Sequence, residues 1–148
     1  MNQGKLYGIG VGPGDPELLT CKAVRLIKEC DVIAVPKGGS GEQTALQIAA
    51  AFIQDKPILH CDMPMTRDQA VLNACHDQAA DDICALLDEG KNVAFLTLGD
   101  PAVYSTYWYV HRRVQARGYT VEIIPGVPSF CAAAARLGQA LCEGSQML

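Results

Sequence analysis

Three Gly/Pro-rich segments carry the residues best suited to organise a ligand: Gly8-Ile9-Gly10-Val11-Gly12-Pro13-Gly14-Asp15-Pro16, Gly99-Asp100-Pro101 and Pro125-Gly126-Val127-Pro128-Ser129. Glycine allows close approach of a ligand or a neighbouring backbone, and proline stiffens the loop beside it. That combination suits a ligand held by main-chain groups and flat apolar contact. It does not suit a dinucleotide. The G-x-G-x-x-G pattern requires a glycine three places after its second, and from Gly10 that place is Pro13, from Gly12 Asp15. The acidic residue expected after the second strand is replaced by Pro36-Lys37, and no G-K-[ST] phosphate loop occurs.

Hydrolytic chemistry is excluded on similar terms, because neither a G-x-S-x-G elbow nor H-E-x-x-H is present. His60, His76 and His111 all lie outside the three segments, and His111 is expected along a helix surface. A site without an acid–base set implies a reagent already activated by its cofactor, with the protein supplying orientation and desolvation. The seven cysteines are odd in number and form no C-x-x-C pair, which argues against a zinc ribbon or a disulfide framework. They are expected to pack as small apolar residues. The only local candidates for a soft-metal site are His60-Cys61-Asp62 and Cys75-His76. Adjacent helical residues diverge by about 100°, so no metal site is expected.

The elements that must position these loops alternate in type. Strands are expected over Lys5–Val11, Asp31–Val35 (stopped by Pro36), Pro57–His60, Val93–Thr97 and Tyr119–Ile124. Helices are expected from an N-cap at Thr20 to Cys30, and over Ala45–Phe52 after a flexible Lys37–Gly41 loop. A long amphipathic helix follows over Asp68–Glu89, turning Val71, Ala79, Ile83, Leu86 and Leu87 to the core and ending at Gly90. The last two helices run from about Val103 to Arg117 and from Ser129 to Leu137. Alternation without hairpin signals predicts an α/β fold with an open, mainly parallel, doubly wound sheet. Right-handed crossovers then bring the carboxyl ends of all strands, and so all three loops, to one edge, where such sheets bind ligands.

Composition narrows the class further. The 148 residues carry 16 Asp+Glu against 12 Lys+Arg, a net charge of -4 that does not suit a nucleic-acid partner. With 49% hydrophobic and 19% charged residues the chain is globular. No apolar run approaches the roughly 18 residues of a membrane span, so a cytoplasmic domain is expected.

Taken in order, these segments resemble the tetrapyrrole methylase family, which transfers methyl groups from S-adenosylmethionine to porphyrinoid or corrinoid precursors. Gly4 to Thr20 is similar to its first signature, Gly90–Val93 with Thr97–Pro101 and Tyr104-Ser105-Thr106 to its second, and Pro125–Phe130 to its third. Leu98-Gly99-Asp100, Tyr104–Trp108 and Val127–Phe130, with the Lys37–Gly41 loop, most resemble the branch that methylates carbon 20 of precorrin-2 or cobalt-factor II in cobalamin synthesis. The resemblance implies cofactor-binding roles for Pro13, Gly99, Asp100, Val103, Pro128 and Ser129. Asp100 would accept hydrogen bonds from the ribose or ammonium, and Val103 and Pro13 would give apolar contact. The substrate bears eight carboxylates, so Lys37 is its expected electrostatic partner, while Arg112 and Arg113 are read as the outer face of a helix. The resemblance also implies a homodimer of two-domain subunits, with S-adenosylhomocysteine as product. Residues 1–148 are then expected to be the N-terminal domain of a longer chain, folding but not turning over alone. Alternatives are another corrin position, a sirohaem precursor, or a non-catalytic binding module on the half-fold. Diphthine and RNA substrates are disfavoured by Tyr104-Ser105-Thr106 and by the missing basic surface.

Overall fold

Val93-Ala94-Phe95-Leu96-Thr97 is apolar on both faces, and the chain makes it the middle strand of a five-stranded sheet. In the computed structural model the described residues are 2–37 and 40–148, with side chains described outside 40–43. The strands are β1 (Leu6–Gly10), β2 (Val32–Lys37), β3 (Ile58–Asp62), β4 (Val93–Thr97) and β5 (Val121–Ile124). Their order is β3-β2-β4-β1-β5, and all pairs are parallel. The helices are α1 (Cys21–Glu29), α2 (Ser40–Ile53), α3 (Gln69–Asp88), α4 (Tyr107–Ala116) and α5 (Ser129–Leu137).

Strand periodicity divides the core into two layers. Ile9, Ile33, Ala94 and Leu96 face α1 and α2, packing on Leu26, Ile27 and Ala49. Leu6, Val32, Val93 and Phe95 face the opposite way, toward Ile83 and Leu87 of α3 and Val110 and Val114 of α4. Burying each of these larger side chains contributes about 1.5–3 kcal/mol. The sheet is therefore doubly wound, as its alternating pattern predicts.

Local signals set most helix limits. The Thr20 hydroxyl accepts the Ala23 N–H at 3.0 Å, capping α1. At its other end Lys56 Nζ donates to the carbonyls of Ile27, Lys28 and Cys30, neutralising the negative end of the helix. Asp68 caps α3 through the N–H groups of Ala70 and Val71, and Gly90 (φ 80°) follows its end. Val71 is exposed rather than buried, because no residue of α3 before His76 reaches the core.

Other limits move. Strand β2 runs through Pro36 to Lys37, pairing Pro36 with Cys61. It can do so because its ladder with β4 ends at Ala34, so the missing proline donor breaks nothing there. Ser40 and Gly41 belong to α2, not to a flexible loop, and Gly38 and Gly39 lie outside the described residues. The fourth helix starts at Tyr107 instead of near Val103, since Gly99 (φ 63°) and Tyr104 (φ 52°) take a left-handed backbone that no right-handed helix can include. Ser105 closes that turn: its Oγ accepts the Tyr107 N–H at 3.2 Å and lies 2.8 Å from Thr97 Oγ1.

Packing of α3 on α4 also overturns the surface position expected for His111. It is buried, its Nδ1 lies 3.0 Å from Tyr107 Oη, and its ring stacks on Trp108 at 4.6 Å. His76 is buried as well, stacks on Tyr109 at 4.7 Å, and leaves Nδ1 without a hydrogen-bond partner. Burial holds both imidazoles below their ordinary pKa, with the Arg113 charge adding to the effect at His76. The unfolded chain takes up these protons near pH 6.5 and the folded one only at lower pH, so their stabilisation is complete above about pH 6.5 and is lost as pH falls from there through the lowered folded values. His76→Phe keeps the stack and removes the orphaned nitrogen. Urea midpoints at about pH 7.5 and about pH 5.5, on either side of the imidazole range, are expected to differ less in this variant than in the parent. An equal difference would show that His76 does not contribute.

Candidate functional site

The site forms where β1 and β4 lie side by side and their following helices leave on opposite faces of the sheet. At such a switch point two loops diverge and open a crevice beyond the strand ends. Here the loops are tied across it. Gly12 and Gly99 form an antiparallel bridge, with N–H···O distances of 3.2 and 2.9 Å. The loop after β5 closes in from the other side of β1. A Cβ on Gly126 would stand 2.2 Å from the Gly99 carbonyl oxygen, and one on Gly10 would stand 2.5 Å from it. No side chain fits at either position, so the floor of the crevice is bare backbone from three loops.

Asp100 locks this arrangement. One carboxylate oxygen accepts the Ala102 N–H at 2.8 Å, and the other accepts the Gly126 N–H at 2.9 Å. It therefore joins the loop after β4 to the loop after β5, a role its sequence position does not reveal. Helix α5 begins at the same place with Pro128 as its N-cap and no side-chain hydrogen bond there. Its first N–H groups are thus available to an acceptor.

Pro13, Gly99, Asp100, Val103, Pro128 and Ser129, drawn from all three loops, line one cavity of about 280 Å³. Leu98, Tyr104 and Phe130 complete its wall. Tyr104 is the addition that sequence reasoning missed: it is fully exposed and holds its φ of 52° at the lip of the cavity. Its sequence signals are its place just after the Gly99-Asp100-Pro101 turn and its membership of the Tyr104-Ser105-Thr106 segment. Lys37 does not join the group. It sits at the end of β2, with Nζ 4.0 Å from Asp62 Oδ1.

The remaining candidates lie elsewhere. Cys30, Cys61 and Cys84 are buried core residues, whereas Cys21, Cys131 and Cys142 are exposed. Burial pushes the Cys30 and Cys61 thiols up to about 12, which keeps them protonated and unreactive at neutral pH. His60, Cys61, Asp62 and Cys75 share a separate cavity of about 200 Å³. Among the described residues no group of three His, Cys, Asp or Glu side chains is arranged to hold a metal ion. Likewise, no described helix is long and apolar enough to cross a membrane.

The family model for Tetrapyrrole (Corrin/Porphyrin) Methylases matches residues 5–148. The chain is 39% identical over 145 residues to a probable cobalt-precorrin-2 C(20)-methyltransferase of Methanocaldococcus jannaschii, covering 97% of this chain and 62% of the relative. It is 35% identical over 147 residues to the cobalt-precorrin-2 C(20)-methyltransferase of Salmonella typhimurium, covering 98% and 62%. The chain thus spans less than two thirds of the length of these curated relatives. A solved uroporphyrin-III C-methyl transferase from Thermus thermophilus, complexed with S-adenosyl homocysteine, superposes with a TM-score of 0.64 at 27% identity, covering 88% of this chain and 48% of that one.

The loop contacts predict their own disruption. Gly126→Ala forces a Cβ into the Gly99 carbonyl and is expected to cost about 1–3 kcal/mol. Asp100→Ala strands two main-chain donors and is expected to cost about 1–3 kcal/mol. Urea denaturation measures both, and unchanged midpoints would rule out a structural role for the contact concerned.

Proposed function

The chain belongs to the Tetrapyrrole (Corrin/Porphyrin) Methylases, and from that premise we propose that it is the N-terminal part of an S-adenosylmethionine-dependent enzyme that methylates carbon 20 of precorrin-2 or cobalt-factor II. The observation that carries this reading is the convergence of Pro13, Gly99, Asp100, Val103, Pro128 and Ser129 on one cavity at the switch point. The named C(20)-methyltransferases among the relatives support the choice of ring position.

The cavity suits S-adenosylmethionine chemically. Pro13, Val103 and Phe130 give apolar surface for an adenine, and the uncapped start of α5 offers N–H donors to an anionic or carbonyl group. Both Asp100 oxygens already accept a main-chain N–H, but a carboxylate has about four lone-pair sites, which leaves capacity for a ribose hydroxyl or an ammonium. When bound, the cofactor supplies an electrophilic methyl group on a sulfonium sulfur. The chain's task is then to align that methyl with a nucleophilic meso carbon at about 3 Å and to exclude water. A rigid floor of backbone meets that need without a strong base. Lys37 adds positive charge at the same sheet edge for an octacarboxylate substrate.

Helix α5 has no buried residue, and Phe130 and Leu137 lie exposed along it. We assign this face to the C-terminal part that the relatives possess, which would also complete the cofactor cleft. A cytoplasmic homodimer is part of the same reading.

Joined to such a C-terminal part, the chain is expected to bind S-adenosylhomocysteine in a calorimeter, and Asp100→Ala to weaken binding about tenfold, equal to about 1.4 kcal/mol. Mass spectrometry and NMR of the product formed from precorrin-2 or cobalt-factor II should place one new methyl on carbon 20. A methyl at another carbon would refute the assigned position. The 148-residue chain alone is expected to transfer none.

A further inference from the structure

A second cavity, of about 290 Å³, opens beside the cofactor cavity and is lined by Pro101, Tyr104, Trp108 and Arg112 among others. None of the six cofactor-binding candidates belongs to it. Tyr104 lines both cavities, so the two abut across its side chain.

Two features of the second cavity have no structural purpose. The first is Arg112. Its neighbours are spent on α3, Arg113 of α4 pairing with Asp77 and Arg117, just after the helix, with Asp81, each at 2.7 Å. Arg112 has no carboxylate partner among the described residues, and its guanidinium lies 5.9 Å from the Trp108 ring centroid. A cation–π contact at this distance holds the guanidinium near the indole and leaves its donors open to an anion. The second is Tyr104, a non-glycine residue at φ 52° whose side chain is fully exposed. A left-handed backbone is disfavoured for tyrosine, and this ring gains no burial in return. Strain kept at the lip of a ligand cavity, without a packing benefit, marks a residue retained for contact with a ligand.

We propose that this second cavity is a carboxylate subsite, in which Arg112 grips one acidic side arm of the tetrapyrrole while the macrocycle lies against Tyr104. The inference rests on the tetrapyrrole substrate proposed above and adds a determinant of regiospecificity. The cavity is too small to enclose a macrocycle but admits one acetate or propionate arm. Guanidinium and carboxylate match as planar, bidentate partners. Anchoring one arm beyond Tyr104 fixes which edge of the ring faces the cofactor cavity, and therefore which meso carbon is presented. Arg112 thus has a function that its place on the outer face of a helix does not suggest.

Trp108 is the sole tryptophan of the chain, so its fluorescence reports on this cavity. Uroporphyrin, an octacarboxylate tetrapyrrole, serves as the probe. Titration is expected to quench the parent chain saturably. Arg112→Gln should weaken binding about tenfold with an unchanged thermal midpoint, and Arg112→Lys should restore part of the loss because it keeps the charge. Tyr104→Gly should raise the thermal midpoint by relieving the backbone while lowering uroporphyrin affinity. Saturable quenching of the parent with equal affinities in Arg112→Gln and Tyr104→Gly would overturn the subsite and leave the tetrapyrrole reading intact. No quenching of the parent would overturn the subsite as well, and mass spectrometry and NMR of the product test the tetrapyrrole reading separately.

Discussion

Everything at the working edge of this protein depends on how closely three stretches of backbone approach one another. Gly10 ends β1, Gly99 and Gly126 lie in the loops that follow β4 and β5, and any side chain on Gly10 or Gly126 would collide with the Gly99 carbonyl. That single steric condition fixes much else. It requires β1 to sit between β4 and β5, it brings the loop after β4 within hydrogen-bonding reach of Gly12, and it lets Asp100 accept the Gly126 N–H. The parallel sheet supplies the convergence, and the glycines convert convergence into contact. What results is a ligand cavity with a backbone floor and side chains only at its rim.

The buried groups that could move protons, Tyr107, His76, His111, Cys30 and Cys61, do not line that cavity and are held neutral. Tyr107 lies buried against Gly8, its hydroxyl engaged with His111, and burial raises its pKa. His76 and His111 are kept from protonation, and the Cys30 and Cys61 thiols from ionisation, by the same desolvation. Such an interior builds a stiff support with little capacity for acid–base work. That division agrees with a transfer reaction driven by a leaving group rather than by a protein base.

The sequence made the support more legible than the rim. Where local chemistry decides, as in the apolar run of β4, the cap at Thr20 and the limits of α5, the pattern and the structure coincide. Convergence of the three loops was also legible, since it follows from strand direction alone. Features decided by tertiary neighbours were not. Pro36 reads as a strand breaker until the short β4 ladder is known. His111 reads as a surface residue until α3 is seen to cover α4, and the pairing of Lys37 with Asp62 appears only once β3 is placed beside β2. Tyr104 and Arg112 are not read as cavity residues for a related reason. Nothing in a one-dimensional pattern shows that a tyrosine is strained, or that one of three neighbouring arginines is left over.

Helix α5 carries a mechanical consequence. Its first residues, Ser129 and Phe130, are wall of the cavity, while along the rest of its length none of its residues is buried. A helix held at one end and uncovered along its side behaves as a lever. A partner that covered the outer face would bear on Pro128, Ser129 and Phe130, which share the cavity wall with Pro13 and Gly99. Any free-energy coupling between that contact and a ligand in the cavity would be reciprocal.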